Sequence, residues 1–256
     1  MRASSWNKHE IFSKTCVPPE NPFFVRLNGW KFKKLSETIK TEKPFDRRIA
    51  ESLVSSGKAL FRKGFNPALI YIVSDELNAL FLGVAPFRGR IEKMDSVLAG
   101  LVSSAFALSL QKLFGVTVDV AFDSRVVVAS DVAKAVEYLV WRQMDAWRNH
   151  NNAYAYWIFR KTGLAPSEIS EKLKGLKTGE IHEIAFKQGV NLAETPQWQR
   201  RGVLLYKQPL LKQTETNIAE RWMVKEEWSL PLFTSENGKK LIKQIIEWAR
   251  RGKEEK

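Results

Sequence analysis

Two short turns in this chain carry residue types that can do chemistry. The first closes the apolar stretch Phe23-Phe24-Val25-Arg26-Leu27 with Asn28-Gly29. The second closes Leu69-Ile70-Tyr71-Ile72-Val73 with Ser74-Asp75-Glu76. Strands that end side by side bring Asn28, the Gly29 carbonyl, Asp75 and Glu76 to one spot. Oxygen atoms clustered that way suit a hard cation such as Mg²⁺ and the phosphates it escorts. Asn28 stands where a two-metal centre would want a carboxylate. The bland alternative is a pair of structural turns. Basic residues nearby favour phosphate: Lys31, Lys33, Lys34, Lys43 and Arg47-Arg48 follow the first turn, and Arg88, Arg90 and Lys93 follow the second near a helix start. Cations at a helix N-terminus oppose its dipole unless an anion binds there. A solvated basic face would carry the same residues.

The elements that must position these turns can be read along the chain. Residues 1–21 read as an arm ending in Pro18, Pro19 and Pro22. Phe23 to Leu27 reads as a strand, and Asp46 to Phe61 as an amphipathic helix with Ile49, Leu53 and Leu60 near helical spacing. Leu69 to Val73 is apolar throughout, as a buried central strand is, and Leu77 to Leu82 returns from it as a hairpin. Arg90 to Phe114 reads as a helix, Val116 to Phe122 and Arg125 to Val128 as strands around Asp123-Ser124. Ser130-Asp131 caps a long helix, Val132 to Arg160. The order strand, helix, strand, strand, helix, strand is ferredoxin-like, and polymerase palm domains share it. The fold class expected is α+β, with a palm-like domain over residues 22–160 and a mostly helical portion over 161–256. That portion holds helices from Ala165 to Leu173, His182 to Gly189 and Gly238 to Arg251, and a basic loop running into a strand at Gln197 to Tyr206. An order so widely used names no chemistry alone.

Composition narrows the class. The 256 residues fill one large domain or two small ones. Lys and Arg number 41 against 28 Asp and Glu, a net charge of +13, with a pI of about 9.8. Nucleic-acid binders lie in that range, and so do proteins with a lysine-rich solvated surface. The single cysteine, Cys16, excludes an intrachain disulfide and a cysteine-based zinc site. His9, His150 and His182 lack metal-ligand spacing and read as surface or helix residues. No Walker loop, nucleophile elbow or His-Glu-x-x-His pair is present. The polar start has no apolar signal stretch, and the apolar run from Ser96 to Leu110 is short and serine-interrupted, so a cytoplasmic protein is expected.

Tryptophans lie beside arginines at Trp141-Arg142, Trp147-Arg148, Trp198-Gln199-Arg200-Arg201 and Trp248-Ala249-Arg250-Arg251. Such pairs stack on bases and contact phosphates, or the rings fill the core while the arginines snorkel. Trp141 and Trp157 lean toward the core reading.

Over about Pro22 to Lys207 the chain resembles the tRNA-His guanylyltransferases and their like-proteins, the 3′-to-5′ nucleotide polymerases. The matching segments are Val25-Arg26-Leu27-Asn28-Gly29-Trp30-Lys31-Phe32, Lys43-Pro44-Phe45-Asp46, Ser74-Asp75-Glu76, Phe87-Arg88-Gly89-Arg90 with Lys93, Phe122-Asp123-Ser124-Arg125, and Tyr138-Leu139-Val140-Trp141-Arg142-Gln143-Met144-Asp145. The resemblance implies chemistry at the 5′ end of tRNA. A triphosphate, GTP or ATP, activates the 5′ phosphate, and the 3′-hydroxyl of an incoming nucleotide attacks it. It implies two Mg²⁺ ions held at Asn28, Gly29 and Asp75, where the family has Asp in place of Asn28. Glu76 would support the site by hydrogen bonding or as an outer-shell acid. Asn28, Gly29, Trp30, Lys31, Phe32, Lys33, Ser74 and Asp75 would line the nucleotide, with Lys43, Asp46, Arg90 and Lys93 contacting or orienting triphosphates. A homotetramer is also implied. The chain departs from the family at Asn28, at Ile72-Val73 before Ser74, at Trp147 to Ala153, and at Ile181. Two rival readings remain: a family member without catalysis that binds RNA, and an unrelated ferredoxin-like cyclase or signalling domain.

Overall fold

The computed structural model describes residues 6–213 and 218–254; residues 1–5 of the expected arm lie outside them. Its centre is one six-stranded sheet in the order β4-β1-β3-β2-β5-β6. The strands are β1 (Phe23–Gly29), β2 (Leu69–Val73), β3 (Glu76–Phe81), β4 (Phe122–Val128), β5 (Val203–Gln213) and β6 (Ile218–Glu227). Every pairing is antiparallel. The first four strands, with the helices between them, make the expected ferredoxin-like unit.

Alternation in β1 decides the layers. Phe23, Val25 and Leu27 face one core, shared with α2 (Arg47–Arg62) and α3 (Ile91–Phe114). Phe24 faces a second core under α4 (Val132–Lys161) and α8 (Glu236–Glu254). β2 is buried at every residue because helices cover both its faces. Asp46 caps α2 by accepting from the Arg48 N–H at 2.9 Å, and Asp131 caps α4 by accepting from the Lys134 N–H at 2.8 Å. The far half of α4 packs with α5 (Pro166–Leu173), α6 (Thr178–Phe186) and α7 (Gln197–Arg201). Its third, smaller core is Ala155, Ile181, Ala185 and Leu192.

Several expectations change. The C-terminal portion carries four helices and also two strands, β5 and β6, which extend the palm sheet, joined through β2 by Ile70↔Leu205 and its neighbours. β4 runs straight through Asp123-Ser124, which pair with Asn28 and Leu27. Residues 116–121 are outside the ladder. A short helix, α1 (Phe32–Thr38), follows the first turn. The apolar helix α3 spans 24 residues, longer than the run read from sequence, and is long and apolar enough to cross a membrane by composition. Its Met94, Leu98, Val102, Phe106 and Leu110 are instead buried in the first core. Gly202 joins α7 to β5 at φ 79°, and a Cβ there would lie 2.5 Å from the Ile72 carbonyl oxygen. Only glycine fits that approach to β2.

Candidate active site

The two turns named from sequence meet at one corner of the sheet. Asn28 pairs across the ladder with Glu76, and the Gly29 N–H donates to the Asp75 carbonyl at 2.9 Å. Gly29 has no freedom to change, since a Cβ would lie 2.1 Å from the Phe32 ring. Ser74 holds φ 53°, a left-handed conformation that a non-glycine residue adopts at a cost and that is enriched at functional sites. Asp75 is half-buried, and desolvation pushes its carboxyl up, with Ser74 hydrogen bonding working against that.

The corner opens into a cleft of about 510 Å³. Asn28, Phe32, Lys33, Lys43, Asp46, Ser74, Asp75 and Glu76 all line it. Lys43 donates from Nζ to Thr41 Oγ1 at 3.0 Å and also to Ser36 Oγ. Burial lowers its ammonium pKa, while Glu37 and Asp46 act the other way. Asp46 is committed locally. Its carboxylate accepts from the Glu42 and Arg48 backbone N–H groups and from the Arg48 guanidinium, at 2.7–3.0 Å. Burial resists ionisation there, but these bonds leave its pKa below the usual range.

Other named residues lie elsewhere. Gly29, Trp30 and Lys31 do not line the cleft. Trp30 is exposed, with the Lys31 ammonium 4.1 Å from its ring centroid. Arg90 caps α3 and borders a separate hollow with Ser13, Lys14, Cys16, Phe87 and Arg88. Lys93 is exposed on the first turn of α3 and is outside the cleft.

Glu76 is 4 % exposed, and both its oxygens are occupied. Oε1 accepts from Arg142 Nε at 2.8 Å and Asn78 Nδ2 at 2.7 Å; Oε2 accepts from Arg26 Nε at 2.8 Å and Arg142 Nη2 at 2.9 Å. Arg142 also reaches Asp145 Oδ2 at 3.1 Å. This buried fork fixes Glu76 as the hub of the corner and leaves Asp75, bonded only locally to Ser74, as the carboxylate beside Asn28. Sequence reasoning gave Arg26 and Arg142 no such part. The signal was present: an arginine inside an apolar strand must find a partner when buried.

The cleft's far end holds Phe45, Asn149, His150, Trp198 and Gln199. His150 is not at the surface; it is 1 % exposed and stacks on Trp147 and Phe45. Its ring nitrogens meet Asn151 Oδ1 and Thr195 Oγ1, each at 2.9 Å. Burial pushes its pKa from 6.5 to about 4, with Arg200 and His182 adding to the effect and the Asn151 bond opposing it. The unfolded chain thus takes up a proton here at a higher pH than the folded one. Stability from this group is full above about pH 6.5 and is lost as pH falls toward 4, by up to about 3 kcal/mol. His150→Gln should flatten the urea midpoint between pH 7 and 4.5; an unchanged slope would assign the acid sensitivity to other groups.

Oxygen donors from Asp75, Asn28 and Gly29 fit a hard cation in kind, with only one negative charge among them. Among the described residues no three His, Cys, Asp or Glu side chains group as a metal cluster. The sheet order and a cleft lined by Asp75, Lys33 and Lys43 are those of a palm-type nucleotidyltransferase. Residues 4–130 match the tRNAHis guanylyltransferase family and residues 133–247 its Thg1 C-terminal domain, so the chain belongs to that family. The family's activity is 3′-to-5′ nucleotide addition. The chain is 28 % identical to a probable tRNA(His) guanylyltransferase of Drosophila melanogaster, over 73 % of this chain and 67 % of that protein. It is 27 % identical to the tRNA(His) guanylyltransferase of Schizosaccharomyces pombe, over 75 % and 76 %. In fold it is similar to a bacterial Thg1-like protein solved with ATP, at TM-score 0.74 and 21 % identity, covering 94 % of this chain and 96 % of that one. The Saccharomyces cerevisiae enzyme gives 0.71 at 22 % identity, covering 85 % and 95 %.

Proposed function

We propose that this chain extends the 5′ end of tRNA, using Mg²⁺-bound GTP or ATP in the cleft. The observation that carries this reading is the convergence of Asp75, Asn28, Lys33 and Lys43 on one opening. Asp75, the Asn28 side-chain oxygen and the Gly29 carbonyl would hold Mg²⁺, as two ions if the family pattern is kept. When bound, the metal neutralises phosphate charge and polarises the reacting oxygens. Lys33 is exposed and free to swing onto a triphosphate, while Lys43 is held by Ser36 and Thr41 at the opposite wall. Glu76, its oxygens saturated, orients rather than ligates. Solved relatives in this fold hold ATP and GTP, which supports the nucleotide reading.

The test is incubation of the protein with 5′-truncated tRNA, labelled triphosphates and Mg²⁺. A strand one nucleotide longer is expected, and Asp75→Ala should abolish it. Wild-type protein that binds tRNA but never lengthens it would favour the second reading, an RNA-binding member without catalysis. The missing charge at Asn28 is the observation behind that rival. A homotetramer is also proposed. The β5–β6 ladder continues to Gln213↔Ile218, past the Leu69↔Tyr206 end of its pairing with β2, and leaves Leu210 and Met223 exposed. The end of α8 covers part of this ribbon, Arg251 pairing with Glu220 and lying over the Trp222 ring, and the exposed apolar side chains would gain from packing on another copy. A cytoplasmic location goes with the lone exposed thiol, Cys16.

A further inference from the structure

Trp141 is 53 % exposed, which overturns its core reading, and Met144 beside it is 64 % exposed. Their neighbours Arg142 and Gln143 are buried. Positions 141, 144 and 148 fall on one face of α4 by helical spacing, and Arg148 continues the exposed face. The patch adjoins the catalytic corner. The Arg142 guanidinium carbon lies 4.7 Å from the Trp141 ring centroid, and that same guanidinium grips Glu76, the cross-strand partner of Asn28. One side chain therefore separates the indole from the corner.

We propose that Trp141, flanked by Met144, is a stacking platform for an unpaired base at the 5′ end of the RNA delivered to Asp75. The proposal rests on the RNA reading above and adds the place where the strand end is held. A large exposed ring next to a polar corner marks a contact surface. Arginines surround it: Arg142 lies beside the indole, Arg26 shares the Glu76 carboxylate with Arg142, Arg125 faces Arg26 across the ladder, and Arg148 follows along α4. Glu76, Asp123 and Asp145 pair with them, so four arginines and three carboxylates leave a local balance of +1. The chain's net charge of +13 favours a polyanion as the occupant. An indole backed by guanidinium offers what single-stranded RNA takes, a π-face for the base beside cations for its phosphates. Stacking is indifferent to base identity, so the platform would position the terminal nucleotide without reading it.

Two RNA hairpins test this, one blunt and one with a single unpaired 5′ nucleotide carrying 2-aminopurine. Wild-type protein and Trp141→Phe should quench the 2-aminopurine. Trp141→Leu should abolish the quench and weaken the overhang hairpin by about tenfold or more, with blunt-hairpin binding changed by less than about twofold. Met144→Ala, a milder lesion, should weaken the overhang hairpin alone. Thermal melts should shift little, since Trp141 is 53 % exposed and leucine keeps part of its contact with Tyr138. Equal quenching and affinity in Trp141→Leu overturns the proposal. So does a change of sedimenting mass in Trp141→Leu with RNA binding intact, which would make the face a contact between copies. Wild-type protein that binds both hairpins equally without quenching removes the platform but leaves the RNA reading standing. Wild-type protein that binds neither removes both.

Discussion

Replacing Arg142 by leucine is expected to cost about 3–5 kcal/mol of folding free energy. Arg142 is 7 % exposed and supplies two of the four hydrogen bonds on the Glu76 carboxylate. Its loss leaves that carboxylate buried with Arg26 and Asn78 alone, in a site whose desolvation has already been suffered. Asp145 loses a partner in the same step. Urea unfolding monitored by far-UV circular dichroism measures the loss. The double variant Arg142→Leu with Glu76→Gln should fall less than the sum of the two single variants, because the neutral amide needs no guanidinium. A single-variant loss under about 1 kcal/mol would show that water replaces the arginine and that the fork is peripheral to stability.

Restoring a carboxylate by Asn28→Asp is expected to raise Mg²⁺-dependent nucleotide addition by about 10² or more, on the scale of one electrostatic catalytic contact. Asn28 presents one neutral oxygen; aspartate presents two oxygens and a charge, where phosphates and divalent cations crowd. The cost appears without metal. The new carboxylate would sit beside Asp75 and opposite Glu76 and Asp123 on the two flanking strands. Like charges at that spacing destabilise the fold. Asn28→Asp should therefore melt earlier than wild type in EDTA and gain more from added Mg²⁺, since a cation that binds only the folded state stabilises it. Mn²⁺ titration by electron paramagnetic resonance reads the affinity directly. Equal rates and equal metal affinity in the two proteins would mean that the charge at this position is not needed.

Much of the palm was legible because its signals are local. Phe23, Val25 and Leu27 alternate with Phe24, Arg26 and Asn28, and the unbroken Leu69 to Val73 can only be a covered strand. The pairing of the two turns followed from their positions at strand ends. The misses have physical causes. Phe32 to Thr38 is a lysine-rich helix without buried residues, so it leaves no apolar period to read. β5 was cut short at Tyr206 and β6 was not seen, because their outer halves, Lys207 to Gln213 and Ile218 to Trp222, keep no clean polar–apolar alternation and their place was decided by β2, more than 130 residues away in sequence. Val116 to Ala121 has strand composition but finds no ladder partner. Arg90 and Lys93, expected at the triphosphates from their place at a helix start, lie outside the cleft lining. The fold turns Arg90 toward the hollow lined by Lys14 and Cys16 instead. Trp141 and His150 exchanged their expected environments. Both lie on one long helix whose weak amphipathicity hides which side is covered.

The position of β2 has a consequence for how the chain can be divided. It carries the Asp75 turn at its end, and it is held on one flank by β3 and on the other by a strand from the far end of the sequence. A protein truncated after residue 200 would keep the whole ferredoxin-like unit yet bare the backbone amides and carbonyls of its most hydrophobic strand. Such an open edge recruits strands from other molecules. The corner that holds Asn28 and Asp75 is thereby tied to the integrity of the tail, and neither half is a free-standing module.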